Sequence, residues 1–135
     1  MTQATSEQVR KFASIGAVGF VVDGGILTVL NSLYAFDLLF SRLVSFSVAV
    51  TVTWYLNRHR TFSANKDRRA ALEWGRYTVV NSIGALLNMS IFFLLVHQFK
   101  LMADMPLLPL AIASLMALTI NFLASKHIVF REQRP

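Results

Sequence analysis

Residues 77–97 read YTVVNSIGALLNMSIFFLLVH and contain no Asp, Glu, Lys or Arg. At a rise of about 1.5 Å per residue, a helical run of this length crosses a hydrocarbon core about 30 Å thick. Peptide groups cannot be left open in lipid, so the run is expected to be a helix rather than a strand. Three more stretches fit the same description. Leu107 to Ser125 is also free of charge, with Pro109 in its first turn, where proline is tolerated. Phe12 to Phe36 carries one charge, Asp23, and Leu38 to Asn57 carries Arg42 near its beginning. Arg42 is expected to snorkel to the interface. Four spans are too few for a closed transmembrane barrel, and its period-2 polar pattern is absent.

Composition agrees. The chain is 135 residues long, 55% hydrophobic and 15% charged, with a mean hydropathy of +0.53. One soluble core of this size could not hide so much apolar surface. The expectation is a single all-α membrane domain over residues 1–135. The first apolar stretch is too long for a cleavable leader, and no small-residue cleavage site follows it. Cysteine is absent, which excludes disulfides and thiolate metal sites. The net charge of +6 would suggest nucleic acid in a soluble protein. Here the basic residues lie between apolar spans, so anionic membrane lipids are the expected partner and nucleic acid is not.

Those basic residues set the orientation. Arg10 and Lys11 precede the first span; Arg58, Arg60, Lys66, Arg68, Arg69 and Arg76 lie in the basic loop 58–76; Lys126, Arg131 and Arg134 follow the last. Only Arg42 and Lys100 remain for the opposite side. The positive-inside rule therefore places both termini and the middle loop in the cytoplasm. Trp54, Tyr55, Trp74 and Tyr77 fall near span ends on that side, as an aromatic belt would. Asn65 to Trp74 reads either as a short interfacial helix or as a solvated loop.

The two halves resemble each other. Gly16, Gly19 and Asp23 match Asn81, Gly84 and Asn88, and Phe12 falls on Tyr77. Thr53 to Phe62 matches Asn121 to Phe130, each ending in a cation, a His and, three residues on, a Phe. The offset grows from 65 to 68 residues, which extra residues between Leu101 and Pro109 would supply. Both two-helix repeats enter from the same side, so the repeat is parallel, not inverted.

This pattern resembles the GtrA-like family of small bacterial membrane proteins. The resemblance covers about Arg10 to Arg131. It rests on Gly16 to Asp23, on Asn57 to Phe62, and on Asn121-Phe122 with Lys126 to Phe130. The family often has Asn at Gly19 and Asn-Phe at Thr53-Trp54, so this chain departs there. The resemblance implies a multi-pass protein of the bacterial inner membrane that flips an undecaprenyl-phosphate-linked or other polyprenyl-phosphate-linked sugar, for modification of cell-surface polysaccharide. It also implies that such a protein can serve a partner glycosyltransferase.

Within the spans Asp23 is the sharpest signal. A carboxylate about eleven residues into a membrane helix is costly and marks function by default. Gly16, Gly19 and Asp23 share one helix face, and glycines let another helix approach. The expected substrate seam comprises Asp23, Asn88, Asn121, Gly19 and Gly84, accepting sugar hydroxyls or, at Asp23, a proton. The plainer alternative is a hydrogen-bonded Asp that holds helices together. Arg58, Arg60 and Lys126, with His59 and His127, are expected at a lipid phosphate, which Arg grips with two parallel hydrogen bonds. The plainer alternative is that they serve topology. Most hydroxyls in the spans are expected to bond their own helix carbonyls. Asp37 and Asp104 fall in the outer connections and are expected to be solvated.

No paired carboxylates, phosphate loop or activated nucleophile is present, so no enzyme, metal site or cofactor is expected. Four short helices cannot easily enclose a sugar path, so a homo-oligomer or a glycosyltransferase partner is expected. Two other readings stay open. One is a non-transporting scaffold that recruits a glycosyltransferase through the basic loop. The other is a small proton-coupled drug exporter that uses Asp23.

Overall fold

In the computed structural model, residues 3–62, 69–105 and 107–130 are described. The chain is all helical there, and four helices are long and apolar enough to cross a membrane. α1 spans Gln3–Thr28 and runs on through a π-helical turn, Val29–Leu33. α2 spans Leu38–Leu56 and ends in a second π turn, Asn57–Thr61. α3 spans Ala70–Gln98 and α4 is the short Lys100–Asp104. α5 spans Leu107–Ala124 and ends in a third π turn, Ser125–Val129. Little of these helices is covered by protein: in the most apolar window of Ala70–Gln98 only 6% is buried. Phe20, Leu33, Leu39, Leu86 and Leu115 all point outward. Such a surface is stable only against lipid.

The bundle is two hairpins, α1 with α2 and α3 with α5. What lets each pair close up is a stripe of small residues at every fourth position. In α2 it is Ser41, Ser45, Ala49, Thr53 and Asn57, all buried. In α5 the residues 68 positions on are Pro109, Ala113, Ala117, Asn121 and Ser125, and all but the half-buried Asn121 are buried. Spacing by four keeps them on one face. Small side chains let the partner helix come close, which is what holds helices together where lipid removes the hydrophobic drive. The partners receive them with glycine. A β-carbon on Gly19 would overlap the Thr53 methyl, and one on Gly84 would overlap the Asn121 amide. The repeat is thus a repeat of packing.

The hairpins join at the end that carries the second and third π turns. Phe12, Val50, Phe62, Tyr77, Phe122, Val129 and Phe130 form the core there. Phe62 and Phe130, matched in the repeat, stack with centroids 4.8 Å apart. Each is set by the same device: the Phe62 amide donates to the Asn57 carbonyl (2.9 Å), and the Phe130 amide to the Ser125 carbonyl (2.8 Å).

Several expectations need correcting. α3 begins at Ala70, about two turns before Tyr77. Residues 70–74 are therefore neither a solvated loop nor a separate interfacial helix but the start of a span; residues 65–68 lie outside the described part. The cause is Glu73, which is buried against α2. Tyr77 is 1% exposed and belongs to the core, not to an aromatic belt; Tyr55 and Trp74 do face outward. Asp37 is exposed, as expected, and it also caps α2. Its carboxylate accepts from the amides of Leu39 (3.0 Å) and Phe40 (3.2 Å), two donors that a helix start leaves open.

Candidate functional site

A cleft of about 200 Å³ lies among the four long helices. Its polar lining comes from Asp23 of α1, Thr53 and Asn57 at the end of α2, Tyr77 and Asn81 of α3 and Asn121 of α5. Gly16 and Gly19 form part of the α1 wall. One end is closed by the aromatic core. There the Asn57 amide donates to the Tyr77 hydroxyl (2.9 Å), and the Thr61 hydroxyl donates to the Asn57 carbonyl oxygen (2.8 Å). The Asn81 amide donates to the Tyr77 backbone carbonyl (2.9 Å). Asn121 keeps a shielded carbonyl oxygen with no partner, as does one oxygen of Asp23. Buried acceptors without donors are costly. Both residues line the same cleft, and the Asn121 side-chain amide also lies against Gly84.

Asp23 is not alone. Its other oxygen accepts from the Arg42 guanidinium across the α1–α2 hairpin. Arg42 was expected to snorkel outward. Its side chain is 52% exposed and its head also pairs with the carboxylate, since opposite charges attract more strongly where the dielectric is low. The seam expected from the sequence is thus partly assembled. Asp23, Gly19 and Asn121 meet in one cleft. Asn88 does not line it; its amide donates to the Ser114 hydroxyl of α5 (3.3 Å). Gly84 packs on the Asn121 side-chain amide and gives α5 its approach to α3. Asn57 and Tyr77 were not singled out as cleft residues. Their signal was the match of Asn57 to Ser125 and of Tyr77 to Phe12.

The expected phosphate cations divide into two sets. Arg58 turns inward and pairs with Glu73 (3.0 Å), the two side chains 9% and 2% exposed. The Trp54 indole donates to the same carboxylate oxygen (3.0 Å), and the guanidinium lies over the Trp54 ring. Lys126 donates to the Gln8 side chain of α1 (2.9 Å) and lies over the Phe122 ring. These are one arrangement made twice, since Gln8 and Glu73 are 65 residues apart, the offset of the first and third spans. Each even span thereby grips the start of the helix that opens the other half. Arg60, His59 and His127 are exposed at the same end. The His59 ring lies against Tyr55, tilted by 36° with centroids 4.3 Å apart, and its Nδ1 is 2.8 Å from the Tyr55 carbonyl.

Hydroxyls elsewhere behave as expected: Ser47, Thr51, Thr53 and Thr119 donate to carbonyls one turn back. Those groups are satisfied within their own helices.

The sequence model of the family GtrA/DPMS, transmembrane domain, matches residues 11–130 of the chain. A search of curated proteins finds no match.

Proposed function

From the premise that this chain belongs to the GtrA/DPMS transmembrane-domain family, which ties it to the handling of polyprenyl-phosphate sugars, we propose that it carries a polyprenyl-phosphate-linked sugar across the bacterial inner membrane. The cleft carries the reading. Four helices with lipid-facing apolar surfaces enclose a space lined by a carboxylate, three amides and two hydroxyls. Such groups are expensive in a membrane and are kept where they have polar work to do. A sugar offers hydroxyls that both donate and accept, and Asp23 and Asn121 each carry a shielded oxygen that has no donor. The lipid phosphate is met on the cytoplasmic side by Arg60 and Lys126, with His59 and His127 beside them. Arg58 is spent on Glu73 and acts by holding that end together. A homo-oligomer or a glycosyltransferase partner completes the path.

The experiment is transport by the purified protein in liposomes. A labelled undecaprenyl-phosphate sugar should become accessible at the far leaflet faster than in protein-free vesicles. Asp23→Asn should reduce the rate in part, because the amide still accepts a hydrogen bond but less strongly. An unchanged rate with stably inserted protein would sink the carrier reading. A scaffold for a glycosyltransferase would instead give co-purification with the transferase and indifference to Asp23.

A further inference from the structure

We propose that the Arg42 guanidinium binds the phosphodiester of the lipid substrate in the half of the bilayer nearest the α1–α2 turn, with Asp23 as the counter-ion that the phosphate replaces. This deepens the lipid-linked sugar reading and rests on it.

The repeat supplies the first argument. The residue matched to Asp23 is Asn88, and the residue 68 positions beyond Arg42 is Leu110. The α3–α5 hairpin packs as closely as the α1–α2 hairpin with that neutral pair in place. An ion pair is therefore not what this kind of hairpin needs for its packing. A charged pair in a membrane helix is costly, so its presence in one half calls for a use that packing does not give.

The guanidinium itself supplies the second. It has five N–H donors in a planar fork. One hydrogen bond joins it to Asp23, and the side chain is 52% exposed. Among the described residues nothing else accepts from it. Open donors on a membrane-spanning helix need an acceptor. A phosphodiester presents two oxygens on one edge, which is the geometry the fork matches. The adjacent Leu39 and Leu43 are exposed and apolar, a surface on which an isoprenoid chain can lie.

Place supplies the third. Asp23 lines the cleft that also holds Thr53, Asn81 and Asn121. A phosphate on Arg42 would hold its sugar at that cleft. Carboxylate and phosphodiester each carry one negative charge, so the exchange leaves the guanidinium neutralised throughout. The released carboxylate faces the sugar and accepts its hydroxyls.

Native mass spectrometry of the purified protein in detergent tests this, with undecaprenyl phosphoglucose as probe and undecaprenol and phosphatidylglycerol as controls. The double variant Arg42→Gln/Asp23→Asn, which leaves no lone charge, should bind the phosphoglucose lipid about tenfold or more weakly, the loss of at least one charge-assisted hydrogen bond. Its undecaprenol binding should not move. Asp23→Asn alone should bind the phosphoglucose lipid more tightly than the wild type, because the competing anion is gone. Weaker or equal binding by Asp23→Asn overturns the exchange, and this single variant decides if the double one does not fold. Unchanged binding by a folded double variant overturns the site. Equal displacement by phosphatidylglycerol means an ordinary headgroup contact and also overturns it. If the wild type fails to prefer the phosphoglucose lipid over undecaprenol, the lipid-linked sugar reading itself falls.

Discussion

Glu73 shows how one side chain can decide where a span begins. It is buried, accepts from both Arg58 and Trp54, and draws the first turns of α3 onto α2. Removing one partner of a buried pair strands the other, at a cost of about 3–5 kcal/mol, whereas replacing both by apolar residues can be neutral. Glu73→Ala should therefore lower the melting temperature in detergent sharply, and Arg58→Met/Glu73→Leu should recover most of the loss. A double variant as unstable as the single one would mean that the charges themselves are required. Gly84 makes a second case. Any side chain there meets the Asn121 amide, so Gly84→Val should cost about 1–3 kcal/mol by overpacking. Gly16→Ala, with open space around it, should be mild in the same melt.

At the scale of elements, the turn between α1 and α2 is fixed locally. Ala35 adopts a φ of 53°, the left-handed region in which glycine has no penalty. The Phe36 amide returns to the Leu30 carbonyl (3.1 Å), and the Asn31 amide donates to the Phe36 carbonyl (3.0 Å). Asp37 then caps α2. Asp37→Ala should cost about 1 kcal/mol, and Ala35→Gly should stabilise by about 0.5–1 kcal/mol or be neutral, since relief at φ is set against greater freedom of the unfolded chain. Thermal melts of the two variants should move in opposite directions or leave Ala35→Gly in place; a destabilised Ala35→Gly would show that the turn is held by its neighbours rather than by local preference.

The whole molecule is two hairpins held at one end by a twofold clamp: Arg58 on Glu73, Lys126 on Gln8, and Phe62 on Phe130. Because the basic residues gather at that end, reporters placed after Pro135 and near Asn65 should read cytoplasmic, and one near Ala103 periplasmic. A middle loop found outside would invalidate the orientation. The chain has no cysteine, so single cysteines at each site give a clean labelling assay.

Composition and pattern alone determined the solvent, the class and the count of spans. Charge-free runs of about 20 residues have one stable answer in lipid. The repeat was legible too, because two hairpins packed by one rule need small residues at matched places, as at Thr53 and Asn121. Tertiary structure decided which polar residues share a space. Asp23 and Asn121 meet at the cleft while Asn88 does not, since a match within a repeat relates residues by symmetry and not by contact. It also decided the fate of the cations. Arg58 and Arg42 read as interfacial charges from their places along the chain, yet each found a carboxylate on another helix. In a low dielectric, nearness in space to an opposite charge outweighs position in sequence, and only the packing of the helices brings those charges together.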